Sequence, residues 1–169
     1  MIEESLPLPD ARHLAAAEGW LELGNAEEAL AELQQIDPRW QKKKDVLELR
    51  WHACAAAKRW DACLEISAAL RESFSEDSEY FIWHGNALYF SGKTDAAYLF
   101  GLHAVQKFPK SWVLHYNLAC YAAQLGRIEK AKQELEKAMD LGDSGIVKMK
   151  ALSDPDMIPL FQQERGLAT

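Results

Sequence analysis

The chain has 169 residues, 49% apolar and 27% charged, with a formal net charge of −7. That balance describes a folded globular chain, and the length suits one domain or a short repeat array. An acidic total argues against a nucleic-acid binder, whose affinity rests on cations facing phosphates, and no apolar run approaches the ~20 residues of a spanning helix.

Residues 1–9 read as an N-terminal extension; Met1 to Asp10 is acidic and proline-bearing, without the basic start and apolar stretch of a secretory signal. Residues 1–38 hold nine acids against one base, Arg12, and so net −8. Residues 39–59 carry Arg39, Lys42, Lys43, Lys44, Arg50, Lys58 and Arg59 against Asp45 and Glu48, a local +5. The lysine run reads as a solvated loop between helices. Either Lys42 to Lys44 fold near the acids of the first segment, or the acidic face stays open and steers a basic partner.

From residue 10 onward the chain repeats itself. Gly24, Lys58, Gly92 and Gly126 follow one another at steps of 34 residues, and the small residues Ala29, Cys63, Ala97 and Ala131 keep the same step. Two more columns, Ile36, Leu70, Ala104, Ala138 and Trp20, Cys54, Leu88, Ala122, run in register with them. The copies occupy about 10–44, 45–78, 79–110 and 111–143, each reading as two helices around a turn. Phe81, Trp83, Gly85 and Leu88 mark a first helix in the third copy; Val113, Leu114, Leu118 and Tyr121 do so in the fourth. Ile128, Ala131, Leu135 and Ala138 mark a second helix. Glycine at the turn ends the first helix by taking the left-handed conformation, and Pro109 stops the second. Ala17, Gly85 and Ala119 face Ala29, Ala97 and Ala131, which lets the two helices approach closely. The second copy departs, with Trp51 in the small column, Arg50 in an apolar one and Lys58 at the turn. Residues 144–169 keep Ile146, Val147, Met149, Leu152, Met157, Ile158, Leu160 and Phe161. They predict a capping helix over about Gly145 to Leu152 and a short helix after Asp154-Pro155.

Motifs for chemistry are lacking. Ser91-Gly92-Lys93-Thr94 imitates the end of a phosphate loop, but Ala87 stands where a further glycine is needed and the stretch is helical by period. It predicts a turn with Thr94 as helix N-cap. His13, His52, His84, His103 and His115 do not pair at metal-ligand spacing, and read as helix-packing or surface residues. Cys54, Cys63 and Cys120 form no C-x-x-C pair, which suits a reducing cytoplasm, and none has a convincing base partner. The expectation is a cytoplasmic protein that is not an enzyme and carries no cofactor or metal.

Two helices per 34 residues, small residues at the crossing and a terminal proline resemble the tetratricopeptide repeat over about residues 10–143. The third and fourth copies are the most typical, WHGNALYFSGKTDAAYLFGLHAVQKFP and HYNLACYAAQLGRIEKAKQELEKAMDLG. The resemblance implies an all-α right-handed superhelix with a C-terminal capping helix, and a concave groove lined by the first helix of each copy. On this basis Glu48, His52, Ile82, Asn86, Tyr89, Tyr116 and Cys120 are candidate peptide-binding residues. The alternative for Tyr89 and Tyr116 is to fill between first helices or to contact the tail. Asn86 and Asn117 resemble the asparagine pair of a carboxylate clamp, but Ile82 occupies the slot of its first lysine. The expected function is a non-catalytic adaptor whose groove takes a peptide or helix with apolar anchors and a basic end, and neither nucleic acid nor membrane. The other reading is a dedicated chaperone for a secreted substrate. Type III secretion translocator chaperones are similar in length, acidic and built of these repeats, although their repeat pattern differs and they typically carry one copy fewer.

Overall fold

The computed structural model describes residues 5–166, with side chains through Gln162. Among these residues all regular structure is helical. A first unit runs to Phe74 and a second begins at Ser75. The first contains α1 (Leu8–Glu22), α2 (Ala26–Gln35), α3 (Lys44–Ala56) and α4 (Trp60–Ser73). The second contains α5 (Ser78–Phe90), α6 (Thr94–Lys107), α7 (Trp112–Gln124), α8 (Ile128–Leu141), α9 (Ser144–Ser153), a 3-10 turn at Pro155–Met157 and α10 (Ile158–Gly166). No helix among the described residues is long and apolar enough to cross a membrane.

The turns follow from local chemistry. Gly24, Gly92 and Gly126 have φ of +76°, +79° and +68°, and Lys58 takes the same left-handed conformation at +56°. In all four copies the turn residue's N–H bonds back three residues and the next N–H bonds back five, as in Gly92 to Tyr89 and Lys93 to Leu88. These two bonds satisfy carbonyls that a helix end would otherwise leave unpaired. The second copy therefore keeps its turn without glycine, against the steric cost of a Cβ in that conformation. The expectation for Thr94 needs correction: it is the first residue of α6, and Lys93 is the N-cap. The two turn bonds leave no further residue between the helices, so the Lys93 carbonyl starts the next ladder by accepting from Ala97 N–H.

The small columns sit at the helix crossings. Ala17, Ala29, Ala97, Ala119 and Ala131 are wholly buried. At Gly85 an added Cβ would come within 3.1 Å of the Tyr121 hydroxyl. Trp51 is buried in the equivalent column, and the Cys63 thiol meets its carbonyl at 3.7 Å. Arg50, the other departure in that copy, donates to the Leu33 carbonyl at 3.1 Å and to the Gln41 side chain. Leu33 lies in the last turn of α2, so Arg50 closes a helix end rather than facing an apolar core.

Within the first unit several acids are paired with bases, and Lys43 of the lysine run stands 4.0 Å from Asp45. Arg39 chelates Asp37 at 3.1 and 3.0 Å, and Arg59 reaches Glu27 at 2.5 Å. Lys44 pairs with Glu48 one turn on in its own helix. In the second unit α9 packs on α8, the 3-10 turn on α7, and α10 on both α7 and α8. Met157, Leu160, Val147 and Ala151 thereby join the core around Leu118 and Tyr121.

Candidate functional site

In the first unit, Glu48 and His52 lie one turn apart on α3. Glu48 is part-buried beside Lys44 at 3.8 Å. His52 is exposed and its ring meets Trp51 edge-on, centroids 5.4 Å apart.

In the second unit, α5 carries Ile82, Asn86 and Tyr89 at successive turns, and α7 carries Tyr116 and Cys120. Ile82 packs against the Phe81, Ala104 and Leu114 cluster while keeping part of its surface. Asn86 Oδ1 accepts from Asn117 Nδ2 at 2.9 Å and from the Tyr121 hydroxyl at 3.1 Å. The two asparagines thus bond each other, an arrangement unlike two amides reaching for one carboxylate.

The tail determines the surroundings of the remaining candidates. The Tyr89 hydroxyl donates to Asp156 Oδ1 at 2.6 Å, and the Tyr116 hydroxyl to Asp154 Oδ2 at 2.7 Å. Gln124 Nε2 donates to the Asp156 carbonyl at 2.8 Å, and the Lys150 ammonium stands 5.0 Å from the Tyr116 ring centre. The Cys120 thiol lies 3.9 Å from Asp154. Of the readings open to Tyr89 and Tyr116, contact with the tail is what the structure shows. Burial, with the Asp154 and Asp156 carboxylates beside it, pushes the Cys120 thiol well above its ordinary range. Burial likewise pushes Cys63 up to about 12. Neither thiol is placed to be a nucleophile.

Asp154, Asp156 and Gln124 escaped the sequence reading. The Asp154-Pro155 pair marked a helix boundary, yet nothing periodic said that the chain beyond it returns to α7. A second omission had a signal. His115 and Glu134 are both buried, with Nδ1 2.5 Å from Glu134 Oε2 and Nε2 3.1 Å from the Pro109 carbonyl. Both ring nitrogens thus face oxygen atoms. Glu134 Oε1 also accepts from Lys130 at 2.8 Å and Lys137 at 2.9 Å. Burial works to raise this carboxyl, but the bonds from Lys130, His115 and Lys137 outweigh it and bring it down to about 2. The group lies at the base of a cleft of about 520 Å³ between α6 and α8. His13 and Glu32 form the same pair in the first copy, at 2.7 Å and part-exposed. The two pairs are three repeats apart, so aligning the histidines by column would have found them.

No family model matches the chain, and no curated relative matches it in sequence. Solved structures do. A MamA RS-1 double mutant superposes with a TM-score of 0.70 at 14% identity, over 80% of this chain and 76% of that one. TTC0263, a thermophilic tetratricopeptide protein of Thermus thermophilus, gives 0.65 at 16% identity, over 92% and 82%. The chain has the tetratricopeptide fold. YrrB, described as a tetratricopeptide protein with an unusual peptide-binding site, gives 0.60 at 10% identity, over 89% and 81%. At these identities the likeness is one of fold, and the tetratricopeptide scaffold by itself leaves the ligand open.

Proposed function

We propose that this tetratricopeptide chain is a non-catalytic adaptor that holds a segment of a partner protein against its first helices. One observation carries the reading: the wall made by α5 and α7 already holds a piece of chain, the Asp154-Pro155-Asp156 turn. Two tyrosine hydroxyls and the Gln124 amide bind its carboxylates and one backbone carbonyl. Aromatic side chains with a polar tip suit such a surface, because they bring large contact area with little side-chain entropy to lose. Ile82, Asn86 and Tyr89 extend the wall along α5 as an apolar anchor point with polar neighbours. In the first unit Glu48 and His52 stand on the matching face of α3, with Lys44 beside Glu48. The peptide-binding site ascribed to YrrB supports the same use of the scaffold.

The test is isothermal titration with a partner recovered by affinity capture from the source cells. Ile82→Asp and Asn86→Ala should each weaken binding by about 1–2 kcal/mol or more while helicity is retained. Equal affinity of both variants and the unaltered protein would move the site away from α5.

A further inference from the structure

α1 and α9 differ from the repeats between them. In the fourth copy, Asn117 and Tyr121 are the residues by which α7 reaches the preceding first helix, at Asn86. The equivalents of Tyr121 in the second and third copies, Ala53 and Ala87, are wholly buried, and Tyr121 is nearly so. In the first copy this column reads Ala15 and Gly19. Ala15 is exposed, and a Cβ at Gly19 would meet nothing within 4 Å. The stacking face of α1 is therefore open around Ala15 and Gly19, with Arg12 at the position of the buried Val46, Tyr80 and Leu114.

On its own helix, α9 buries Val147 and Ala151 and turns Ile146, Met149 and Leu152 outward. These three are 62%, 74% and 64% exposed. Three large apolar side chains side by side on one helix form an exposed patch of the kind that marks a protein contact. Charge distinguishes the two surfaces further. Exposed Glu18 and Glu22 outnumber Arg12 on α1, within a segment that nets −8. α9 carries Lys148 and Lys150, both exposed, and no acid.

We propose that copies of this chain associate head to tail, the outer face of α9 of one copy seating on the outer face of α1 of the next. Large apolar side chains meet α1 at Ala15 and Gly19, which permit close approach, while lysines of α9 meet Glu18 and Glu22. Like charges would face each other if either surface paired with itself. The contact is heterologous, of the type that builds rings or open arrays, and assembly grows with concentration.

Sedimentation velocity over a wide concentration range tests this, using Ala15→Arg to block α1 and Met149→Asp to block α9. Both positions are exposed, and far-ultraviolet circular dichroism checks that each variant remains helical. The unaltered protein should pass beyond dimer as concentration rises, and added salt should weaken the assembly. Each variant alone should remain monomeric, whereas an equimolar mixture should form a dimer and nothing larger, because each variant keeps the face its partner lacks. A monomeric unaltered protein overturns the proposal, as does a mixture that stays monomeric. Association of Ala15→Arg alone would mean that α9 pairs with α9, and association of Met149→Asp alone that α1 pairs with α1; either result overturns it too.

Discussion

Glu134→Ala should be among the most damaging single substitutions in the second unit. The carboxylate is buried and held by His115, Lys130 and Lys137, which together lower it from 4.5 to about 2. A displacement of that size corresponds to about 3 kcal/mol of stability at neutral pH. Truncating one member of a buried ion pair typically costs about 3–5 kcal/mol, because the other is left charged without a partner. His115 Nδ1 would be left buried without its partner, since the ring is buried and its other nitrogen already faces the Pro109 carbonyl. The lysines would not: their side chains are 32% and 53% exposed and can return to water. The third copy supplies the compensating change. Its residues in the same two columns, Phe81 and Phe100, stack with centroids 6.0 Å apart. The double variant His115→Phe, Glu134→Phe should therefore lie within about 1–2 kcal/mol of the unaltered protein, since apolar replacement of a buried pair is often neutral. Urea unfolding followed by circular dichroism measures both, with the denaturant slope as a check that the transition stays comparable. The pH dependence has a definite sign. A depressed carboxyl contributes fully above its ordinary pKa near 4.5 and loses that contribution as pH falls toward 2. The corresponding part of the acid destabilisation should be missing from the double phenylalanine variant. A cost below about 1 kcal/mol for Glu134→Ala would refute the reasoning, as would a double variant as unstable as the two single changes added together.

Lys58→Gly should raise the unfolding free energy of the first unit by up to about 1 kcal/mol, because it relieves a side chain held at φ +56°; thermal or urea unfolding would show it. Gly142→Ala should destabilise the second unit by about 1 kcal/mol or more. The added Cβ would lie 3.0 Å from the Trp112 ring and 3.2 Å from the Ala138 carbonyl, and Tm reports the change. Asp154→Ala removes the acceptor of the Tyr116 hydroxyl and of the Asp156 N–H. It should cost about 1–3 kcal/mol and speed amide exchange around Met157, whereas unchanged exchange there would mean that apolar packing alone seats the tail.

What the sequence alone determined is what short stretches of backbone decide. The 34-residue step, the glycine turns and the small residues at Ala17, Gly85 and Ala119 each depend on neighbours within a few residues or on one helix crossing. Even Lys58 keeps the turn, because the two reverse-turn bonds require a left-handed residue there whatever its side chain. Thr94 was misplaced by one position, since those same bonds, not the hydroxyl, set where α6 begins. The repeat could also have paired His115 with Glu134, through the matching columns of His13 and Glu32. Only the tertiary structure decided that Asp154 and Asp156 return to Tyr116 and Tyr89, 38 and 67 residues away in sequence. It likewise decided that Arg59 reaches back to Glu27, 32 residues earlier. An arginine or an aspartate beside proline offers many equivalent partners in an extended chain. Which one it meets depends on where stacked helices bring the backbone, and that is set by burial summed over the whole array rather than by any local preference.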